Sequence, residues 1–259
     1  MLVREARDGM DPSFGFVQHG PFELLVYLPW WRAGVVHGMT MRRHAFRGDS
    51  AARDVGALCE SFRVEDLVVP RQCHGNGVLD LRPESVRRAL VESSLGRLCR
   101  FEEGDALLIP CDQGTGGPRL AFGVMSADCV PVLLRAGTGW AAVHAGWRGL
   151  ANGVIERAVK GLGGVVEGIV FASAGGAAYE VGREVVEAIG ATAAFEPVRG
   201  RDDRALLDTA ATAVNQLRRV AREAHLASAG ICTIQEPRFH SFRRDGEAAG
   251  RGITFVVPP

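Results

Sequence analysis

The chain has 259 residues, 47% hydrophobic and 23% charged, and its 30 basic and 30 acidic side chains cancel to a formal charge of zero. That balance excludes a nucleic-acid partner recognised by basic excess, and no charge block reads as a tail. Apolar runs reach about 8 residues against the roughly 20 that a membrane helix needs, and the mixed-charge start at residues 1–8 has no apolar segment behind it, so neither a membrane span nor a signal peptide is expected.

The reading is a cytoplasmic protein long enough to bury a full core. The six cysteines, Cys59, Cys73, Cys99, Cys111, Cys129 and Cys232, form no CxxC pair. In a reducing compartment they stay free for metal or nucleophile roles.

In chain order, residues 22–28 and 35–42 predict two strands, and the Arg-, Asp- and Gly-rich residues 43–56 predict a loop. A short strand over 67–70 runs into the turn at 72–74. Residues 83–98 carry a weak helical pattern broken by Gly96. Four short, continuously apolar runs follow at 106–109, 120–125, 130–134 and 140–143. Such runs read as strands buried on both faces. The spacing predicts helices over 147–162, 180–189 and 202–226, the last stopped by Gly230, and strands over 165–171, 231–234 and 253–257. With no linker or repeat in between, the pattern predicts a single α/β domain over 1–259.

Chemistry concentrates in the centre. Ser126-Ala127-Asp128-Cys129-Val130-Pro131 ends one apolar run, and His144-Ala145-Gly146-Trp147-Arg148-Gly149 ends another. Upstream stands Gln72-Cys73-His74-Gly75. Two imidazoles and one thiolate on glycine-flanked turns suit a transition metal with one coordination position left open, which is the pattern of a catalytic site. Each residue also has a plain structural reading: Cys129 as a small buried hydrophobe, His144 as a core histidine bonded to backbone, His74 as an exposed turn residue. Arg148, at a helix start, suits phosphate or a surface salt bridge. Arg42-Arg43 and Arg243-Arg244 are further cationic pairs on predicted turns, and Gly175-Gly176 marks a turn or a close backbone approach to a ligand.

At these residues the chain resembles the bacterial multicopper-polyphenol-oxidase-like proteins, also described as peptidoglycan editing factors and as purine nucleoside phosphorylases, with a human laccase-domain relative. The family's QxHG, GDAL, ADCxP, HAGWRG and YEV segments correspond in order to residues 72–75, 104–107, 127–131, 144–149 and 179–181. Its CT…FxSxRRDG…GR stretch corresponds to Cys232 through Arg251.

The resemblance implies His74, Cys129 and His144 as metal ligands, with zinc expected and copper an alternative. It implies mixed sheets flanked by helices in layers, similar to cysteine-hydrolase-like toxins. It also implies phosphorolysis of adenosine, inosine and methylthioadenosine, together with adenosine deamination. The partners are then a purine nucleoside and phosphate. On that reading Cys129, His144, Asp128 and Arg148 are the catalytic residues, and Arg42, Arg148 and Arg243 bind the phosphate. Asp128 or Asp105 orients a ligand or shuttles a proton, and Asp128 reads equally as a turn cap.

The chain departs from the family pattern at residues 174–178, where a proline and two cysteines are missing from a segment expected to line the pocket. After Arg42 the usual GG-V-S continuation is absent. His240 and Phe242 replace an aromatic residue and a tyrosine. Three rival readings stand beside the phosphorylase. One is a metal-free cysteine hydrolase acting on an amide in cell-wall precursors, with Cys129 as nucleophile and His144 as base. The others are a copper-dependent phenol oxidase and a non-catalytic binding protein.

Overall fold

Two large sheets share a core in the computed structural model, which describes residues 3–4, 9–87, 97–114 and 117–259. The eight-stranded sheet runs, edge to edge, through Val3–Arg4, Phe14–His19, Phe22–Tyr27, Val36–Thr40, Gly252–Val257, Leu120–Ser126, Asp66–Arg71 and Leu98–Glu103. It is antiparallel except around Asp66–Arg71, which lies parallel to both neighbours. The six-stranded sheet runs His225–Ser228, Glu167–Val170, Val130–Ala136, Gly139–Ala145, Ala106–Pro110 and Val78–Asp80. A small third sheet joins Glu180–Gly182, Arg204–Asp208 and Ala194–Pro197.

Strand alternation sorts the apolar side chains into layers. From the six-stranded sheet, Leu107, Ile109, Leu133 and Ala142 meet Val68, Phe122, Val124 and Val256 of the eight-stranded sheet in one buried cluster. Their neighbours Leu108, Val132, Leu134 and Val143 point the other way. They pack under the helices Val154–Leu162 and Thr209–Val220. On the far face of the eight-stranded sheet, Leu24, Leu67, Ala121 and Phe255 are covered by Val55, Leu58 and Phe62 of the helix Ala51–Phe62. The result is helix, sheet, sheet, helix, an α/β architecture of mixed sheets flanked by helices. The unbroken apolar runs of the centre follow from burial on both faces.

Several local expectations are corrected. Residues 43–56 are not all loop, because Ala51 opens the helix whose buried stripe is Val55, Leu58, Cys59 and Phe62. The stretch 202–226 is not one helix. Arg204–Asp208 alternates buried and half-buried side chains as a strand does, Asp208 caps the helix Thr209–Val220 through Ala211 N, and His225–Ser228 returns as a strand. Gly230 therefore follows a strand.

The stretch 147–162 splits into Trp147–Ala151 and Val154–Leu162 because Gly153 adopts φ +73°, outside the helical region. Glu180–Gly182 is a strand ahead of the helix Arg183–Ile189. Residues 231–234 form no strand, only the isolated bridge Ser173–Cys232. Of the helical pattern predicted over 83–98, residues 84–87 are helical, 88–96 lie outside the described residues, and Leu98 opens a strand. The strand Phe14–His19 was not anticipated.

Candidate metal centre and its cleft

Register brings the three donors together. The strands Val130–Ala136 and Gly139–Ala145 pair with Val130 opposite Ala145, which sets Cys129, just before the first strand, beside Gly146, just after the second. A Cβ on Gly146 would stand 3.0 Å from Cys129 Sγ and 3.2 Å from His74 Cδ2, so glycine is what lets the backbone come this close. On the other side of Gly139–Ala145, Ala106 pairs with Val143. That pairing places Asp105 against His144, whose N–H donates to Asp105 O at 2.7 Å.

Asp105 is the hub. It is fully buried. Its Oδ1 accepts from His144 Nδ1 at 2.8 Å and His74 N at 3.0 Å. Its Oδ2 accepts from Gly75 N at 2.7 Å, Cys73 N at 3.4 Å and the Cys73 thiol at 3.2 Å. One carboxylate thus fixes the His144 ring and the loop that carries His74. Gln72 pins the same loop from behind: its Nε2 donates to Met125 O at 2.7 Å and its Oε1 accepts from Met125 N at 2.8 Å. Gln72 and Asp105, the glutamine and aspartate of the two motifs, are supports of the loop.

The donor atoms of His74, Cys129 and His144 lie within 4.8 Å of one another, the one group of three among the described residues that could hold a metal ion. The two rings meet edge to face, 5.0 Å between centroids. Burial pushes the Cys129 thiol up, but the charge of His144 and hydrogen bonds from His144 and His74 outweigh it and bring the thiol down to about 6. Burial pushes His144 down, and Cys129 and Asp105 reverse that, raising it to about 9. Burial pushes Asp105 up, and His144, the Gly75 N–H and the Cys73 thiol hold it at about 2. The donor set therefore fits a thiophilic divalent metal: a thiol inclined to ionise, and a histidine whose Nδ1 is committed to a carboxylate, leaving Nε2 for the ion.

Asp128 sits beside the donors with φ +91°. Its Oδ1 accepts from Thr233 Oγ1 at 2.7 Å, its Oδ2 from Arg243 N at 2.6 Å, and its carbonyl from Ala174 N at 2.8 Å. Asp105, not Asp128, is the residue that orients a histidine.

The donors open into a cleft of about 710 Å³ whose walls include Met125, Tyr179, Phe242 and five arginines, Arg47, Arg71, Arg100, Arg243 and Arg251. Arg243 lies over the Tyr179 ring at 4.7 Å and donates to Glu180 O at 3.0 Å. Arg42 and Arg148 do not line the cleft. Arg42 pairs with Asp245 at 3.2 Å, and the exposed Arg148 folds over Trp147 at 4.4 Å. Sequence reasoning missed Arg47, Arg71 and Arg100, which stand in no motif, and gave Arg251, the last residue of the GR stretch, no role in the site. The altered segment 174–178 does not line the cleft; Gly175 and Gly176 line a separate cavity of about 430 Å³, and Tyr179 is the nearby residue that reaches the cleft.

The other histidines are committed elsewhere. His37 is buried in the core, its ring between Val35 O and Tyr27 N. His19 stacks on Phe62, His44 faces Asp54, His225 meets the Tyr27 hydroxyl, and His240 bonds His44 O.

Fold and site together define an enzyme-type cleft: metal-capable donors at the common end of two sheets, backed by a buried carboxylate and walled by arginines. The chain belongs to the multi-copper polyphenol oxidoreductase laccase family, whose model matches residues 48–258. It is 36% identical over 159 residues to a protein of Aquifex aeolicus named purine nucleoside phosphorylase, covering 60% of this chain and 71% of that one. A Xylella fastidiosa protein of the same name is 36% identical over 200 residues, covering 72% of this chain and 70% of the other. The crystal structure of YlmD from Geobacillus stearothermophilus has the same fold, with TM-score 0.76 at 21% identity over 94% of this chain and 98% of that one. Among the described residues no helix is long and apolar enough to cross a membrane.

Proposed function

We propose that this cleft carries out metal-dependent phosphorolysis of purine nucleosides, adenosine, inosine and methylthioadenosine among them, with adenosine deamination as a second activity. The observation that carries the reading is the three-donor group at the floor of an arginine-walled cleft, in a chain whose relatives bear the phosphorylase name. His74, Cys129 and His144 would hold the ion, and zinc suits two imidazoles and a thiolate. When bound it supplies Lewis-acid chemistry.

The chain's own residues do the rest. Arg243 and Arg251 hold phosphate as a dianion, with Arg243 fixed in place by Glu180 O and Tyr179. Phe242, 43% exposed at the cleft, and Tyr179 offer ring faces to the purine. A phosphate oxygen forms the new bond to C1′ as the C1′–N9 bond breaks. The electron pair leaves with the purine, which takes up the proton given up by the hydrogen phosphate, and the products are the 1-phosphate of the sugar and the free base. Arg42 and Arg148 are assigned no contact with phosphate. Cytoplasmic placement and a single domain remain part of the same reading.

A second reading has an observation of its own. Asp105, His144 and Cys129 are linked in the order of an acid, base and nucleophile triad. It makes the chain a cysteine hydrolase and gives His74 no essential part. Elemental analysis of protein purified without chelator, with adenosine phosphorolysis assayed for wild type, Cys129→Ala and His74→Ala, separates the two. About one zinc per chain, with metal and activity lost in both variants, is expected. A metal-free wild type, or full activity in His74→Ala, refutes the metal-dependent reading.

A further inference from the structure

Five arginines are more than one phosphate uses. Two bidentate guanidinium groups satisfy about one phosphate. Asp128 is the one carboxylate on the cleft wall, and both its oxygens are already engaged by Thr233 and Arg243 N. Among the described residues, none of Arg47, Arg71, Arg100, Arg243 and Arg251 pairs with a carboxylate. Glu103 stands opposite Arg71 in the strand register and still forms no ion pair with it.

The sheet sorts these arginines into two places. Arg251 precedes the strand Gly252–Val257, whose start pairs with Ser126 beside the metal donors. Arg47 and Arg243 belong to this side: Arg47 raises the local positive potential at Arg251, and Arg243 N is bonded to Asp128. Arg71 ends the strand Asp66–Arg71, two positions across the sheet from Gly252–Val257, and Arg100 lies on the edge strand beyond it. At about 4.8 Å per strand, the strands of Arg71 and Arg100 lie roughly 10 and 14 Å across the sheet from that of Arg251, and the register offsets both residues further along the strand direction. One inorganic phosphate near the donors leaves that far wall uncompensated, in a cavity of about 710 Å³ with room for more than one group.

We infer that Arg71 and Arg100 form a second anion subsite, and that the preferred substrate is a purine nucleoside carrying its own phosphate ester. The inference rests on the phosphorylase reading and names its substrate class. Titration calorimetry of adenosine, 5′-AMP and 3′-AMP in phosphate-free buffer tests it, because phosphorolysis cannot proceed there. One of the nucleotides binds wild type at least about tenfold tighter than adenosine, as one added charge-assisted contact supplies. In Arg71→Gln/Arg100→Gln that nucleotide-to-nucleoside ratio falls about tenfold. Among the described residues neither side chain has a hydrogen-bond or ion-pair partner, so the double variant is expected to keep the fold, which circular dichroism checks. Nucleotides that bind no tighter than adenosine, or a ratio that survives the double substitution, overturn the inference. A parallel phosphorolysis assay keeps the two claims apart. Adenosine cleaved without nucleotide preference sinks only the second subsite, whereas nucleotide preference without phosphorolysis sinks only the reaction.

Discussion

Replacing Asp105 by asparagine keeps the shape of the side chain and removes its charge and one acceptor oxygen. The wild-type carboxylate accepts from two groups on Oδ1 and three on Oδ2, with Gly75 N and His144 Nδ1 the short contacts on the two sides at 2.7 and 2.8 Å. If the amide oxygen stays with His144 Nδ1, the amide NH₂ is turned toward the Gly75 N–H and the Cys73 thiol. If it turns to serve them, His144 loses its acceptor. A hydrogen bond to a charged group contributes about 1.5–3 kcal/mol, and a buried donor left without a partner adds about 1–3 kcal/mol. A stability loss of roughly 3 kcal/mol is therefore expected, read by urea denaturation of the metal-free protein.

The larger consequence concerns the donors. Asp105 fixes which nitrogen of His144 carries its proton and holds the His74 loop by three backbone N–H groups. Removing such a support behind a metal ligand costs about 10–100-fold in metal affinity. Chelator competition with zinc measures it directly. A variant that binds zinc within about twofold of wild type would refute the argument that this carboxylate orients the site.

Three further outcomes follow from the same geometry. Gly146→Ala suits the backbone, at φ −67°, but puts a methyl 3.0 Å from Cys129 Sγ, so zinc affinity drops about tenfold or more; an unchanged chelator titration would contradict the packing. In metal-free protein near pH 7, iodoacetamide labels Cys129 ahead of Cys73, although Cys73 is more exposed. Desolvation of Cys129 is outweighed by His144 and His74, whereas the Asp105 carboxylate beside Cys73 pushes that thiol up. Zinc suppresses the labelling, and mass spectrometry of the alkylated peptides checks both statements. His37 is fully buried and desolvation lowers it from 6.5 to about 4, so the unfolded chain binds the proton first as pH falls. Its contribution is complete above about pH 6.5 and declines by about 3 kcal/mol as pH falls to about 4. Urea denaturation against His37→Gln shows the slope, and parallel profiles for the two proteins would refute it.

What could be read from the sequence depended on how local the cause was. The strands at 120–125, 130–134 and 140–143 are continuous apolar runs, and burial between two layers is what makes them so. The three donors were legible because each sits in a short motif at the end of an apolar run, with glycine close after both histidines and a proline after Cys129. The stretch 202–226 misled because Leu206 falls in phase with the stripe of the helix that follows, and only Asp208 marks the true start. The start of the helix Ala51–Phe62 was hidden by the Arg, Gly and Asp residues just before it and by Arg53 and the buried Asp54 within its first turn. The arginine wall was illegible for a different reason: Arg71 and Arg100 come together through a parallel strand pair that no spacing in the chain encodes.

The distant motifs make sense once backbone strain is considered. His74 at φ +60° and Asp128 at φ +91° are two of the three non-glycine residues with positive φ among those described, and both belong to the site. Such conformations cost on the order of 1–3 kcal/mol each and persist only where the surroundings impose them. For His74 the restraint is the row of N–H groups on Asp105 together with the Gln72 clamp. For Asp128 it comes from much later in the chain: Thr233 Oγ1, Arg243 N and Ala174 N each bond to it. Arg244 holds that late loop by donating to Thr233 O at 2.7 Å and Phe239 O at 2.8 Å. The threonine of the CT pair and the arginines of the RRD segment lie more than a hundred residues from Cys129 because they brace its neighbour across the fold, and they add no ligand to the metal.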